Sequence, residues 1–384
     1  MVVVLEVVVV AVVVVAVVVV LVVLVFYRTV VALEEMHQFV VRCMEAVGTK
    51  REHASALADL LVAADYRGHF SHGLNRLDMY VQDMKMGICR CDKEPEIIKE
   101  TAATALVEGN NLLGPVVGKF CTDLAIKKAK ESGVGWVSAR GSNHFGIAGW
   151  YAMRAMEHGM MGLAFTNTSP LMVPTRATQT SLGTNPIACA APANNGDSFV
   201  LDMATTAVAL GKLELNDRKG LDIPIGWGCD DKGKPTTKPA QAKGLMPLGG
   251  TEECSGYKGY GLAMMVEIFC GIMAGADFGR NIRSWKTTDR EANLGQCFIV
   301  VDTSAFAPGF SDRLTDLSSS LRGLEPSEGQ EKVFIPGDPE RQHMDKCDKL
   351  GGIEYHPNQI DFANNLAKKL NIEPMQTKEE DTKS

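Results

Sequence analysis

The sequence is short of three features that would settle its chemistry at once. No Gly-x-Gly-x-x-Gly follows an expected strand: Gly133-x-Gly135 and Gly259-x-Gly261 both lack the third glycine, and there is no P-loop. A nucleotide, if held, is therefore not held in the common Rossmann or P-loop way. Lys and Arg form no run or stripe, and 39 of them against 46 Asp and Glu give a formal charge of -7. Without a phosphate-neutralising face, nucleic acid is not an expected partner. The ten cysteines, spread from Cys43 to Cys347, lack metal spacing, and the one close pair, Cys89-x-Cys91, has no second pair beside it. No metal is expected on that pattern. Ordinary reduced thiols in a cytoplasmic enzyme are the expectation. Nor does any internal repeat recur at a fixed period.

With 384 residues there is room for two domains of about 100–200 residues each. The first 26 residues stand apart, being almost all Val with Glu6 as their only charge. Val7 to Tyr27 is 21 uncharged residues, enough to cross a bilayer as a helix at about 1.5 Å per residue. A basic n-region and a small-residue cleavage site are missing, and the branched Val side chain is a mediocre helix former. Residues 1–27 are accordingly read as an artefactual or unstructured leader, or as an anchor. Membrane contact is expected only if that leader is real.

Chemistry-bearing groups concentrate in residues 65–80, where His69, His72, Arg67 and Arg76 surround a Ser71-His72 pair. A helix with apolar residues at Ala54, Leu57, Ala58, Leu61 and Val62 precedes it, and Gly68 and Gly73 then present Ser71 and His72 on a turn. An imidazole titrates close to neutral pH, so His72 suits a proton donor. Arg76 suits a carboxylate clamp through two parallel N–H bonds. Reduction of a 2-oxo acid needs both.

The periodicity predicts helices from Leu33 to Val47 and from Arg51 to Ala64, with Thr49 as the cap of the second. A short helix spans Leu77 to Met86, and Ala105 to Asn111 reads as a strand entering a hairpin. A helix from Val117 to Ser132 ends at Gly133, and the strand Val134 to Ala139 delivers Asn143 and His144 at its end, with a helix, Trp150 to His158, behind. The amide groups at that helix start suit phosphate oxygens. Further strands are expected at Gly162 to Thr166, Phe199 to Ala204 and Gln296 to Val301. Asp202 reads as the N-cap of a helix from Thr205, as the orienting partner of an imidazole, or as both together. Residues 217–250 form a loop-rich folded excursion, and Lys258, misplaced against the dipole at the start of an apolar helix, suggests an anion site. Helices return at Asp312 to Leu324 and Ile360 to Leu370, around a loop from Ile335 to Glu340.

Taken together, Asp65-x-Arg67-Gly68-His69-x-Ser71-His72-Gly73, Ser142-Asn143-His144-Phe145-Gly146, Gly183-Thr184-Asn185-Pro186, Asp202-Met203-Ala204, Gly226-Trp227, Pro247-Leu248-Gly249-Gly250 and Tyr257-Lys258-Gly259-Tyr260-Gly261 resemble the malate/L-lactate dehydrogenase family of the second type. That family also includes sulfolactate, ureidoglycolate and piperideine-2-carboxylate enzymes. The resemblance spans about residues 31–372 and leaves the Val-rich leader outside it.

It implies an α/β fold in three layers, with a mixed, partly antiparallel sheet and a non-Rossmann nucleotide-binding domain. A mainly helical second part comes from both chain ends. The corresponding segments are 31–110, a helical part carrying the Ser-His motif, 111–310 for the nucleotide, 311–372, again helical, and a polar tail, 373–384. It also implies a homodimer using NAD or NADP on a small 2-hydroxy or 2-oxo acid, malate/oxaloacetate or lactate/pyruvate first. A cyclic-imine reductase, a ureidoglycolate or sulfolactate dehydrogenase, or a catalytically silent membrane-tethered binding protein are the alternatives. By that match His72 is the acid/base, relayed or oriented by Ser71 and Asp202, and Arg76 holds the substrate carboxylate. His144 lies at the nicotinamide, and some members give it the proton-accepting role. Phe145, Gly146, Thr168, Asp202, Met203, Ala204, Lys258, Gly259 and Tyr260 match positions that line the cofactor.

Overall fold

A computed structural model describes residues 29–285 and 287–379, so the expectations for residues 1–27 lie outside the described part. Among the described residues no helix is long and apolar enough to cross a membrane.

The described part opens with β1 (Thr29–Val31), α1 (Leu33–Glu45) and α2 (Arg51–Tyr66), then α3 (Leu77–Lys85) after the Ser-His turn. Both long helices lie where the apolar spacing put them, but Thr49 caps nothing. The α2 N-cap is Lys50 without a side-chain bond, and the Thr49 hydroxyl is buried without a partner. Next come β2 (Glu96–Glu100) and β3 (Thr104–Glu108), α4 (Gly114–Ser132), β4 (Val134–Ser142), α5 (Ala148–Met156) and β5 (Met161–Thr166). The Ala105 to Asn111 segment does not enter a hairpin, because β3 pairs parallel to β4 and α4 makes the crossover. The hairpin is the earlier one, β2 against β3.

After β6 (Ile187–Pro192) and β7 (Ser198–Met203) comes α6 (Leu210–Lys219), followed by the excursion. The excursion folds as a small sheet of β8 (Gly228–Cys229), β9 (Pro235–Thr236) and β10 (Gly244–Leu245). The chain continues as α7 (Gly256–Glu267), which runs into a π turn at Ile268–Ile272, and β11 (Leu294–Val301). The described part ends with α8 (Phe310–Arg322), α9 (Asp338–Leu350), β12 (Ile353–Tyr355), α10 (Pro357–Leu370) and β13 (Lys378–Glu379). Residues 338–340 open a helix rather than a loop, since Pro339 occupies the first turn, where its missing N–H costs nothing.

A seven-stranded sheet, in the order β2-β3-β4-β11-β5-β6-β7, forms the middle layer. β11 lies antiparallel to both β4 and β5, leaving β3 and β4 as the parallel pair, so the sheet is mixed. α4 and α5 bury Val117, Ala125, Tyr151 and Ala152 against one face. α7 and the π turn bury Val266 and Cys270 against Phe165, Cys297 and Ile299 on the other. Three layers result. The two ends of the described part meet in a separate sheet, β12-β1-β13, and their helices share the α4/α5 core through Phe39, Leu61, Cys347 and Leu366. All ten cysteines are free, most of them buried.

Candidate active site

α2 ends at Tyr66, and Gly68, at φ +84°, turns the chain in a way an L side chain resists. Asp65 holds the turn from beneath. Its carboxylate accepts the Leu74 N–H at 2.9 Å and the Tyr355 hydroxyl at 2.7 Å, and a Cβ at Gly73 would overlap it. Burial pushes the Asp65 carboxyl up to about 7, against the pull of these two donors. On the turn, Ser71 Oγ lies 2.9 Å from His72 Nδ1. Arg76 Nε donates to the Ser71 carbonyl at 2.7 Å, and its guanidinium lies over the Trp285 ring, 5.2 Å from the centroid.

The end of β4 supplies the second imidazole. Asn143 is buried, and its amide donates at 2.9 Å to both Asn111 Oδ1 and the Leu112 carbonyl. Asn143 thus fixes the loop and presents His144 to the cleft. The His72 and His144 rings lie nearly parallel, 5.9 Å between centroids at 16°. Tyr80, one turn of α3 beyond Arg76, places its hydroxyl 2.6 Å from His144 Nδ1. Burial, then the Arg76 cation and His69 when protonated, push His72 down to about 4. Burial, His72 and Arg76 push His144 down to about 3. The expected proton donor near neutral pH is therefore uncharged there.

Asp202 fits neither expectation. No helix starts at Thr205, and its carboxylate takes the Gly149 N–H at 2.7 Å, not an imidazole. It occupies the start of α5, where a phosphate was expected. Burial raises its carboxyl to about 6, while Gly149 and Arg67 pull it down.

Ser71, His72, Arg76, His144, Phe145, Gly146, Thr168, Asp202, Met203 and Ala204 line one cleft of about 610 Å³. Lys258, Gly259 and Tyr260 do not line it. Gly259 packs under the Leu248 backbone, and Tyr260 packs beside Met172 and Leu182. Sequence reasoning missed Arg283, Trp285 and Lys212, which do line it; Arg283 pairs with Asp83 at 3.2 Å. Ile147, Leu171, Val208 and Leu210 give the cleft an apolar wall, as a flat nicotinamide ring requires. Beside it, α6 starts without a side-chain cap, and Gly211, with nothing within 4 Å of where a Cβ would stand, and Lys212 line the cleft. Amide and ammonium donors of that kind suit a diphosphate. The residues present fit a nicotinamide dinucleotide.

The family model described as malate/L-lactate dehydrogenase matches residues 31–362. The chain belongs to that family. Within it, the malate dehydrogenase of Pyrococcus horikoshii is 39% identical over 349 residues, covering 89% of this chain and 96% of that protein. Its solved structure superposes with a TM-score of 0.83, at 35% identity, over 90% of this chain and 97% of that one. The sulfolactate dehydrogenase of Methanocaldococcus jannaschii superposes with a TM-score of 0.82 at 36% identity, over 89% and 98% of the two chains. The malate/(S)-sulfolactate dehydrogenase of Methanothermus fervidus is 38% identical over 349 residues, 90% of this chain and 99% of that protein.

Proposed function

We propose that this family member is an NAD(P)-dependent L-2-hydroxyacid dehydrogenase, with malate/oxaloacetate as its first substrate pair and lactate/pyruvate next. One observation carries the reading: two parallel imidazoles, His72 and His144, face each other beside Arg76 in a single cleft. Both Nδ1 atoms already meet hydroxyls, those of Ser71 and Tyr80, so each ring keeps Nε2 for a ligand. The nicotinamide, when bound, accepts or returns the C2 hydride. Arg76 has spent Nε on the Ser71 carbonyl, which leaves its terminal nitrogens to grip the substrate carboxylate. His72, neutral above about pH 4, takes the hydroxyl proton in the oxidative direction. Ser71 holds its ring, and the carboxylate brought to Arg76 raises the His72 affinity for that proton.

His72→Ala should lower turnover about 10²–10⁴-fold with cofactor affinity little changed. A fully active variant would remove His72 from the chemistry. The substrate is decided by a panel of oxaloacetate, pyruvate, sulfopyruvate and piperideine-2-carboxylate with NADH and NADPH, followed by absorbance. The reading further takes the protein as a cytoplasmic homodimer. Free thiols throughout suit a reducing compartment, and an exposed apolar stripe along α7 and the π turn suits a second copy.

A further inference from the structure

We infer that Tyr80 is a positioning residue that locks His144 as its Nε2–H tautomer, a hydrogen-bond donor to the substrate oxygen, which leaves proton transfer to His72 alone. The inference rests on the dehydrogenase reading and divides the labour between its two imidazoles.

Two donors converge on His144 Nδ1: the Tyr80 hydroxyl at 2.6 Å and the Gly146 N–H at 3.3 Å. A backbone N–H can only donate, so a proton on Nδ1 would face it head-on. Tyr80 is 2% exposed, and among the described residues its hydroxyl has no hydrogen-bond partner other than His144. If Nδ1 carried the proton, Tyr80 would have to accept it and leave its own buried O–H without an acceptor, a net loss. Burial also raises the phenol well above its ordinary value, so it keeps its proton to donate. The groups facing His144 are the Arg76 cation and the His72 ring; the first disfavours an imidazolium outright, and the second opposes it whenever it is itself protonated. Neutral, with the proton on Nε2, His144 has no lone pair to offer a substrate hydroxyl.

His72 differs in one atom. Its Nδ1 meets the Ser71 hydroxyl at 2.9 Å, and a hydroxyl both donates and accepts. Rotation of Ser71 serves either tautomer, so His72 can gain or lose a proton at Nε2 and keep its bond. Two imidazoles with similar surroundings thus carry different duties because one is tied to a fixed donor pair and the other to a rotor.

The test reads tautomers directly. Selective ¹⁵N labelling of the eight histidines, with His144 assigned by difference from His144→Gln, should show His144 protonated at Nε2 only, unchanged from about pH 5 to 9. Tyr80→Phe should introduce a population protonated at Nδ1. It should also lower kcat about tenfold, the loss of one buried hydrogen bond, with KM for the acid little moved. A His144 proton on Nδ1 in the wild type, titration of His144 within that range, or a Tyr80→Phe protein with wild-type spectrum and kcat would each overturn the inference. The wild-type spectrum decides even if the variant fails to fold. Absence of turnover with every 2-oxo acid would instead sink the dehydrogenase reading, and the spectrum would be unaffected by it.

Discussion

Asp65 is a buried acid that faces no cation, and its effect on stability has a definite sign. Its carboxyl, about 7 in the folded chain, ionises near 4 once unfolded. Between those values the folded protein binds more protons than the unfolded chain, so this group's contribution is full below about pH 4 and is lost as pH rises through about 7. Asp65→Asn keeps an oxygen for Leu74 and Tyr355 and removes the ionisation. The urea midpoint of the wild type should fall across that window relative to the variant, with a constant difference above it. Parallel curves would mean that Asp65 is ionised throughout. His72 and His144 act in the opposite direction: at about 4 and 3 they refuse protons that an unfolded imidazole accepts near 6.5, so they cost stability as pH falls below about 6.5. Ser71, His72, Arg76 and His144 were legible in the sequence because turns bounded by glycine gather reactive side chains where a core has no use for them. Tyr80 was not, since an aromatic on an amphipathic helix reads as core; its spacing of four from Arg76 was the available signal.

At the scale of elements, the position of Asp202 next to an apolar run was readable but its partner was not, because α5 lies 53 positions earlier in the chain. Its carboxylate satisfies one of the amide groups that every helix start leaves open. Asp202→Ala should therefore cost about 1 kcal/mol of stability and leave the pH limb of kcat/KM set by His72 in place, whereas Asp202→Asn should restore most of the stability. A shifted limb in either variant would instead couple Asp202 to the imidazole. Two helices escaped sequence reading for a physical reason. α6 buries only Leu213, and α9 buries only Asp338 and Cys347, so neither carries the apolar stripe that periodicity detects. Long helices with one well-buried face, α1 and α2, were read nearly to the residue. The hairpin assigned after β3 failed because strand pairing is decided across the sheet, by β4, and not by neighbouring residues.

For the whole molecule, the family and the three-layer plan were legible from ordered motifs, whereas the apolar surface proposed to meet a second copy was not written as a motif at all. α7 is apolar on both sides. Its inner face packs on the sheet, and Glu267, buried at its end, accepts amide bonds from Asn167 at 3.1 Å and Asn185 at 3.0 Å. The outer face leaves Met264 45%, Ile268 48% and Ile272 53% exposed, three residues four apart along one side, with Phe278 close in the chain at 46%. A stripe of that kind loses about 25 cal/mol per Å² while it stays in water, and a second copy of the same stripe can cover it about a two-fold axis. Glu267 ties this helix, through Asn167 and Asn185, to the loops carrying Thr168 and Thr184 in the cleft, so on the proposed dimer reading separating two copies would loosen that wall of the cleft. Ile268→Glu with Ile272→Glu should convert a wild-type species of two chains by light scattering into one of 41.5 kDa, and should raise KM for the nicotinamide more than KM for the acid. A monomeric wild type would remove the second copy altogether. A dimer that survives both glutamates would place the interface on another face.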